Sequence, residues 1–150
     1  MTRLLLVDDD SELLEALAEV LSARGFVPTT FGAASPAIAA LRAGLVVDVA
    51  LLDLGLPDLS GVQVVRAVRA HCPGAVPLVF TIQEDAPSVF DALRAGARGY
   101  LLKSTRFERL AELIGEAQSG GVPMSPAVAR YLVEALPAAN DAEEEKRFDA

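Results

Sequence analysis

Apolar residues along this chain come in two rhythms that alternate five times. Short runs rich in Leu and Val, at 3–7, Phe26–Phe31, Val49–Leu52, 78–80 and 99–102, are each followed by a stretch whose apolar positions recur every three to four residues. Four of the runs are nearly continuous, as strands buried on both faces should be, and the longer period is that of a helix covering one stripe. The alternation predicts an α/β fold in which a doubly wound, five-stranded parallel sheet carries helices on both faces. The second run contains Pro28, which has no amide to give to a ladder, and that strand is predicted at a sheet edge.

The helical stretches are punctuated. Leu13, Leu14, Leu17, Val20 and Leu21 make the stripe of the first helix, with Glu12 and Glu15 near its start and Arg24-Gly25 as its stop. The second is predicted to open at Ser35-Pro36 and stop at Gly44, and the third to bury Val65 and Val68 and end before Pro73-Gly74. Pro87 opens the fourth, whose inner face is marked by Phe90 and Leu93. Thr105-Arg106-Phe107-Glu108 has the spacing of a capping box ahead of a fifth helix with Phe107, Leu110, Leu113 and Ile114 inward, stopping at Gly120-Gly121. Ser125-Pro126 then starts a short amphipathic helix bearing Val128, Leu132 and Leu136, followed by Pro137 and a polar stretch with Glu143-Glu144-Glu145. Residues 1–120 read as one domain, and 121–150 as a linker helix and a disordered acidic tail.

Composition narrows the function. The 150 residues, 52% hydrophobic, suffice for one core. No apolar run approaches the roughly 20 residues of a membrane span, and Met1-Thr2-Arg3 leads straight into a strand without a signal-peptide pattern, so a cytoplasmic protein with no membrane contact is expected. A formal charge of −8 opposes the phosphate backbone, and direct nucleic-acid binding is not expected. The single cysteine, Cys72, has no disulfide partner, and His71-Cys72-Pro73 reads as helix-end packing.

The chemistry is expected at the carboxyl ends of the strands, where open parallel sheets place their sites. The first strand ends in Asp8-Asp9-Asp10, the third in Asp53, the fourth in Thr81 and the fifth in Lys103. An aspartate after a strand is ordinarily a turn or cap residue, a threonine there a cap and a lysine a solvated surface group. Asp10 and Asp58 keep that reading. The ordered co-occurrence of acid pair, single acid, hydroxyl and lysine favours a site instead. Two carboxylates about 4 Å apart at an effective dielectric near 20 repel by about 4 kcal/mol, which favours protonation or a bound cation. Oxygen ligands suit Mg2+, and a carboxylate such as Asp53 can form an acyl phosphate by in-line attack while Lys103 and Thr81 bind phosphoryl oxygens.

Leu6-Val7-Asp8-Asp9, Leu51-Leu52-Asp53 with Leu56-Pro57 and Ser60-Gly61, Phe80-Thr81, and Gly99-Tyr100-Leu101-Leu102-Lys103 together resemble the receiver domains of two-component response regulators, over about residues 3 to 120. The resemblance implies a flavodoxin-like sheet of strand order 2-1-3-4-5. It implies that Asp8 and Asp9 bind magnesium with Asp53 and the Gly55 carbonyl, that Asp53 is phosphorylated by a sensor histidine kinase, and that Lys103 contacts the phosphate. Thr81 becomes the switch hydroxyl and Tyr100 the aromatic residue that turns inward with it. The face of the fourth helix, fifth strand and fifth helix then carries the output, including self-association on phosphorylation. Such a domain takes part in its own phosphotransfer and dephosphorylation without being an enzyme toward other molecules. The run from Gly120 to Ala129 resembles the linker of the NarL/FixJ type, whose output domain is a LuxR-like DNA-binding helix-turn-helix; these residues contain no such domain, and the chain reads as the regulatory part of a transcriptional regulator.

The sequence departs from the family pattern at three points. Ser104 follows Lys103 where many receivers have proline, so a cis peptide there is not presumed. Ile82 follows Thr81 where a small residue is common, and its bulk is expected to narrow access to Asp53. Gly55 and Gln83 hold positions that vary among receivers. Two other classes compete with this reading: a receiver-like interaction module that signals without phosphate, and an aspartyl phosphatase or flavin protein. Against the last stand Gly55, where dehalogenase-type phosphatases have a second Asp, and the lack of a glycine-rich phosphate loop after the first strand.

Overall fold

The computed structural model describes residues 1–135. Strands and helices alternate strictly: β1 (Thr2–Val7), α1 (Ser11–Ser22), β2 (Phe26–Phe31), α2 (Ala34–Arg42), β3 (Val49–Leu52), α3 (Gly61–His71), β4 (Val76–Thr81), α4 (Ala86–Ala95), β5 (Tyr100–Leu102) and α5 (Phe107–Gln118). A further helix, α6, covers 126–135. The strands form one parallel sheet in the order β2-β1-β3-β4-β5, with Pro28 on the edge strand opposite Leu4.

The strand period sorts the core into two layers. Leu4 and Leu6 of β1 point one way, with Val49 and Leu51 of β3 and Leu78 and Phe80 of β4, onto the stripe Leu14, Leu17, Leu21 of α1 and Leu110, Ile114 of α5. Leu5, Val7, Ala50, Leu52, Val79 and Tyr100 point the other way, onto α2, α3 and α4. Because the chain starts in the middle of the sheet and winds outward in both directions, β1 and β3 lie side by side. Their carboxyl ends open into one crevice.

Three local expectations are corrected. α5 has Arg106 at its N-cap and no side-chain cap; the amide of Thr105 is already used in a turn, donating to the Leu102 carbonyl at 2.9 Å, so the capping box does not form. The fully buried residues of α4 are Val89 and Ala92, small enough for α4 to lie close to its neighbours, while Phe90 is half-buried with the Arg94 guanidinium 5.9 Å from its ring centroid and Leu93 stays at the core margin. α2 begins one residue earlier than Ser35, and its first amides, those of Ala34 and Ser35, donate to the Asp58 carboxylate at 2.9 and 2.7 Å.

Asp58 therefore caps α2 across 24 residues of chain, and the Ser35 side chain, followed by the Ser35 and Ala34 amides, holds its carboxyl well below the usual carboxylate range. Gly61 opens α3 against the end of β3, so closely that a β-carbon there would lie 1.9 Å from the Asp53 carbonyl oxygen. After α5 the chain runs back along β5, where a parallel bridge pairs Met124 with Tyr100 before α6 buries Val128 completely. Leu132 of α6 is half-buried; Leu136 and the acidic stretch lie outside the described residues. No helix among the described residues is long and apolar enough to cross a membrane.

Candidate functional site

Asp8, Asp53, Thr81 and Lys103 are each the last residue of a strand or the first beyond it, and Asp9 is one residue further on. Asp8, 3% exposed, follows Val7; its amide donates to the Phe31 carbonyl at 3.1 Å, and its side chain turns back over the sheet end and accepts the Asp10 amide at 3.0 Å. Asp10 caps α1 through the Leu13 amide at 3.1 Å, as a turn or cap residue should. That local turn leaves Asp9 facing solvent. On β3 the Asp53 amide donates to the Val7 carbonyl at 2.9 Å, which sets Asp53, 5% exposed, beside Asp8. Carboxylate oxygens of Asp8, Asp9 and Asp53 lie within 4.8 Å of one another.

β4 and β5 supply the donors. Thr81, fully buried, donates its hydroxyl to Asp53 Oδ1 at 2.8 Å. The Lys103 amide donates to the Thr81 carbonyl at 2.9 Å, and its Nζ reaches Asp8 Oδ2 at 2.8 Å and Asp53 Oδ2 at 3.0 Å. Both oxygens of Asp53 are thus engaged before any ligand arrives. Gly55 contributes its amide to Asp53 Oδ1 at 3.3 Å and lines the open cleft above, together with Asp9, Asp53, Ile82, Gln83 and Lys103.

One ammonium faces three carboxylates. Burial pushes the Asp8 carboxyl up from its usual range, more than its hydrogen bonds to Lys103 and Asp10 pull it down. Burial also pulls Lys103 down, but hydrogen bonds to Asp8 and Asp53 and their charges outweigh it, and the ammonium sits above its ordinary value. The lysine therefore stays charged and the acids stay crowded. This hard-oxygen set suits a divalent cation that keeps part of its water, and a cation fits the excess of negative charge.

The loop after β4 joins the site to Tyr100. The Gln83 amide donates to Thr81 Oγ1 at 3.3 Å, and the Gln83 carbonyl accepts the Tyr100 hydroxyl at 2.6 Å. Tyr100 is fully buried, and burial, followed by the charges of Asp85 and Asp53, pushes its phenol upward, so it is a firm donor. The ring is already turned inward. Ile82 stands on the cleft rim with 77% of its surface exposed, so its bulk flanks the entrance instead of filling it. No cis peptide occurs among the described residues, the bond after Lys103 included.

All seven residues singled out in the sequence converge here: Asp8, Asp9 and Asp53 together, Thr81 on Asp53, Lys103 on Asp8 and Asp53, Gly55 on the cleft wall and Tyr100 one loop away. Sequence reasoning missed the double role of the Gln83 backbone, which no motif signals because a main-chain donor and acceptor can belong to any residue.

A family model, the response regulator receiver domain, matches residues 4–115. The DNA-binding response regulator MtrA of Mycobacterium tuberculosis is 40% identical over 102 residues, 67% of this chain and 43% of that protein. The transcriptional regulatory protein KdpE of the same organism is 39% identical over 105 residues, 69% of this chain and 45% of the relative. The chain thus spans less than half the length of these curated relatives. Among solved structures, a two-component response regulator of the LuxR family from Aurantimonas sp. superposes with TM-score 0.79 at 28% identity, covering 90% of this chain and 97% of that one. A CheY-like receiver domain protein from Methanospirillum hungatei superposes with TM-score 0.75 at 26% identity, covering 80% and 95%.

Proposed function

Since the chain belongs to the response regulator receiver domain family, the phosphoacceptor module of two-component systems, we propose that Asp53 is its phosphoryl acceptor. One observation supports this above the rest: Thr81 and Lys103 engage the two oxygens of Asp53 separately, at 2.8 and 3.0 Å, which leaves a hydroxyl donor and an ammonium beside any phosphoryl group formed on Asp53. Asp8, Asp9 and Asp53, with the Gly55 carbonyl, would hold a Mg2+ ion, which would supply positive charge against the phosphoryl oxygens when bound. Lys103 adds a charge-assisted hydrogen bond, and Thr81 turns its hydroxyl from the carboxylate to the phosphoryl group. Tyr100 follows as the second switch residue, because its hydroxyl is bound to the same loop that holds Thr81.

The donor is the phosphohistidine of a sensor kinase, and the chain works in the cytoplasm as the regulatory part of a transcriptional regulator, self-associating when phosphorylated. The Gly120–Ala129 run and the extent of the match to the LuxR-family structure support a NarL/FixJ-type assignment. Intact-mass analysis after incubation with magnesium and a small phosphodonor tests the acceptor. The wild type gains one acid-stable, base-labile phosphoryl group and Asp53→Ala gains none; a wild type that stays unmodified overturns the reading.

A further inference from the structure

Residues 122–135 are packed as part of the domain. The Tyr100 amide donates to the Pro123 carbonyl at 2.9 Å, the Ser125 amide to the Tyr100 carbonyl at 3.2 Å, and the Leu102 amide to Ser125 Oγ at 3.3 Å. At Gly99 a β-carbon would meet the Pro123 carbonyl oxygen at 2.7 Å, so only glycine lets the segment lie this close. Val128, fully buried, belongs to the same core layer as Tyr100, with Met124 and Tyr131 packed at its margin. The anchoring residue is thus the one whose hydroxyl ends on the Gln83 carbonyl. A continuous line of contacts runs from Asp53 through Thr81, Gln83 and Tyr100 to Ser125.

We propose that residues 122–135 are a cover for the β5 edge whose docking holds Tyr100 buried, with Ser125 and Val128 as positioning residues, and that phosphorylation of Asp53 tightens this docking. The inference rests on the reading of Asp53 as the acceptor. Phosphorylation removes the charge of the Asp53 carboxylate and puts charged oxygens on the phosphoryl group, so the charge-assisted acceptor for the Thr81 hydroxyl moves there. Drawing Thr81 in steadies Gln83, whose amide donates to it, and with it the carbonyl that receives the Tyr100 hydroxyl. A steadier Tyr100 keeps its backbone in register with Pro123 and Ser125. Undocked, the cover would leave main-chain donors and acceptors of β5 open to another strand. Because coupling free energies are reciprocal, docking in turn favours the phosphorylated form at equilibrium.

Hydrogen exchange over residues 97–104 and 122–131 of the full chain, with intact mass on the same samples, tests this. With magnesium and acetyl phosphate, 122–131 of the wild type should exchange about 5- to 10-fold more slowly once phosphorylated, the low end of ordinary coupling, while Asp53→Ala should not respond. Val128→Asp should speed exchange in both segments and lower the phosphorylated fraction at equal donor concentration, and Val128→Ile should restore both. Should Val128→Asp not fold, Ser125→Ala, which removes only the oxygen that accepts the Leu102 amide, carries the same comparison. Equal exchange in phosphorylated and unmodified wild type, or a positioning variant that leaves Tyr100 protected as before, overturns the inference. A wild type that takes no phosphate overturns the acceptor reading instead, and the variants, whose exchange needs no phosphate, still decide whether the cover holds Tyr100.

Discussion

Two groups of charges stand at opposite ends of the same strands. At the amino ends, Arg3 and Asp48 form a closed exchange: the Arg3 amide, Nε and a terminal guanidinium nitrogen reach the Asp48 carboxylate at 2.8, 3.2 and 3.1 Å, with side chains 52% and 35% exposed. At the carboxyl ends, Lys103 bridges Asp8 and Asp53, whose side chains are only 4% and 6% exposed, with Asp9 alongside. The Arg3 hydrogen bonds hold the Asp48 carboxyl below its usual range, whereas burial pushes Asp8 above it. One cation with one carboxylate in water is a fastening. One cation among three carboxylates, two of them buried, leaves an excess of negative charge that suits a further cation.

The largest expected effect comes from breaking the frame that holds the second group. Gly61→Ala places a methyl against the Asp53 carbonyl and should cost about 3 kcal/mol or more in urea unfolding while displacing Asp53; retention of both stability and phosphorylation would show the close approach to be relaxable. Next, Lys103→Met should slow phosphorylation by about 100-fold, the usual loss on removing one preorganised donor, whereas Arg3→Met should leave the rate unchanged. Equal rates in the two variants would erase the distinction between the two ends of the sheet.

Smaller effects sharpen the comparison through pH. The folded value of Asp8 lies above its unfolded one, so the penalty of its charge grows as pH rises from about 4 and is complete above the folded value. With a chelator present, Asp8→Asn should therefore raise the melting temperature by about 3 °C at pH 7 and by progressively less toward pH 4; a lower melting temperature at pH 7 would show that the carboxylate is a net stabiliser. Asp48 has the opposite sign. Its folded value lies below its unfolded one, so its contribution is complete above about pH 4 and is lost as pH falls through the folded value. Asp48→Asn should lower the melting temperature by less than about 4 °C at pH 7, the difference closing on acidification, with phosphorylation untouched.

Most of the site was legible because its residues mark where one rhythm stops. Asp8, Asp53, Thr81 and Lys103 each end an apolar run, and strands of a parallel sheet end on the same side. The α4 face and the α5 cap were misread because each is settled by something periodicity omits: the room between packed helices, and a prior use of the Thr105 amide. The Asp58 cap on α2 and the pairing of Pro123 and Ser125 with Tyr100 leave no local trace, since their partners lie 20 or more residues away.

The sequence by itself determined the strand and helix order, the edge position of β2 and the acids, hydroxyl and lysine that end the strands, because these follow from side-chain chemistry, from continuous apolar runs and from a period of 3.6 residues. Only the tertiary structure decided that Lys103 spans Asp8 and Asp53, that the Gln83 main chain joins Thr81 to Tyr100, and that the segment after α5 closes the β5 edge. These depend on distances and burial between groups remote along the chain, and burial sets how strongly a charge or hydrogen bond is felt.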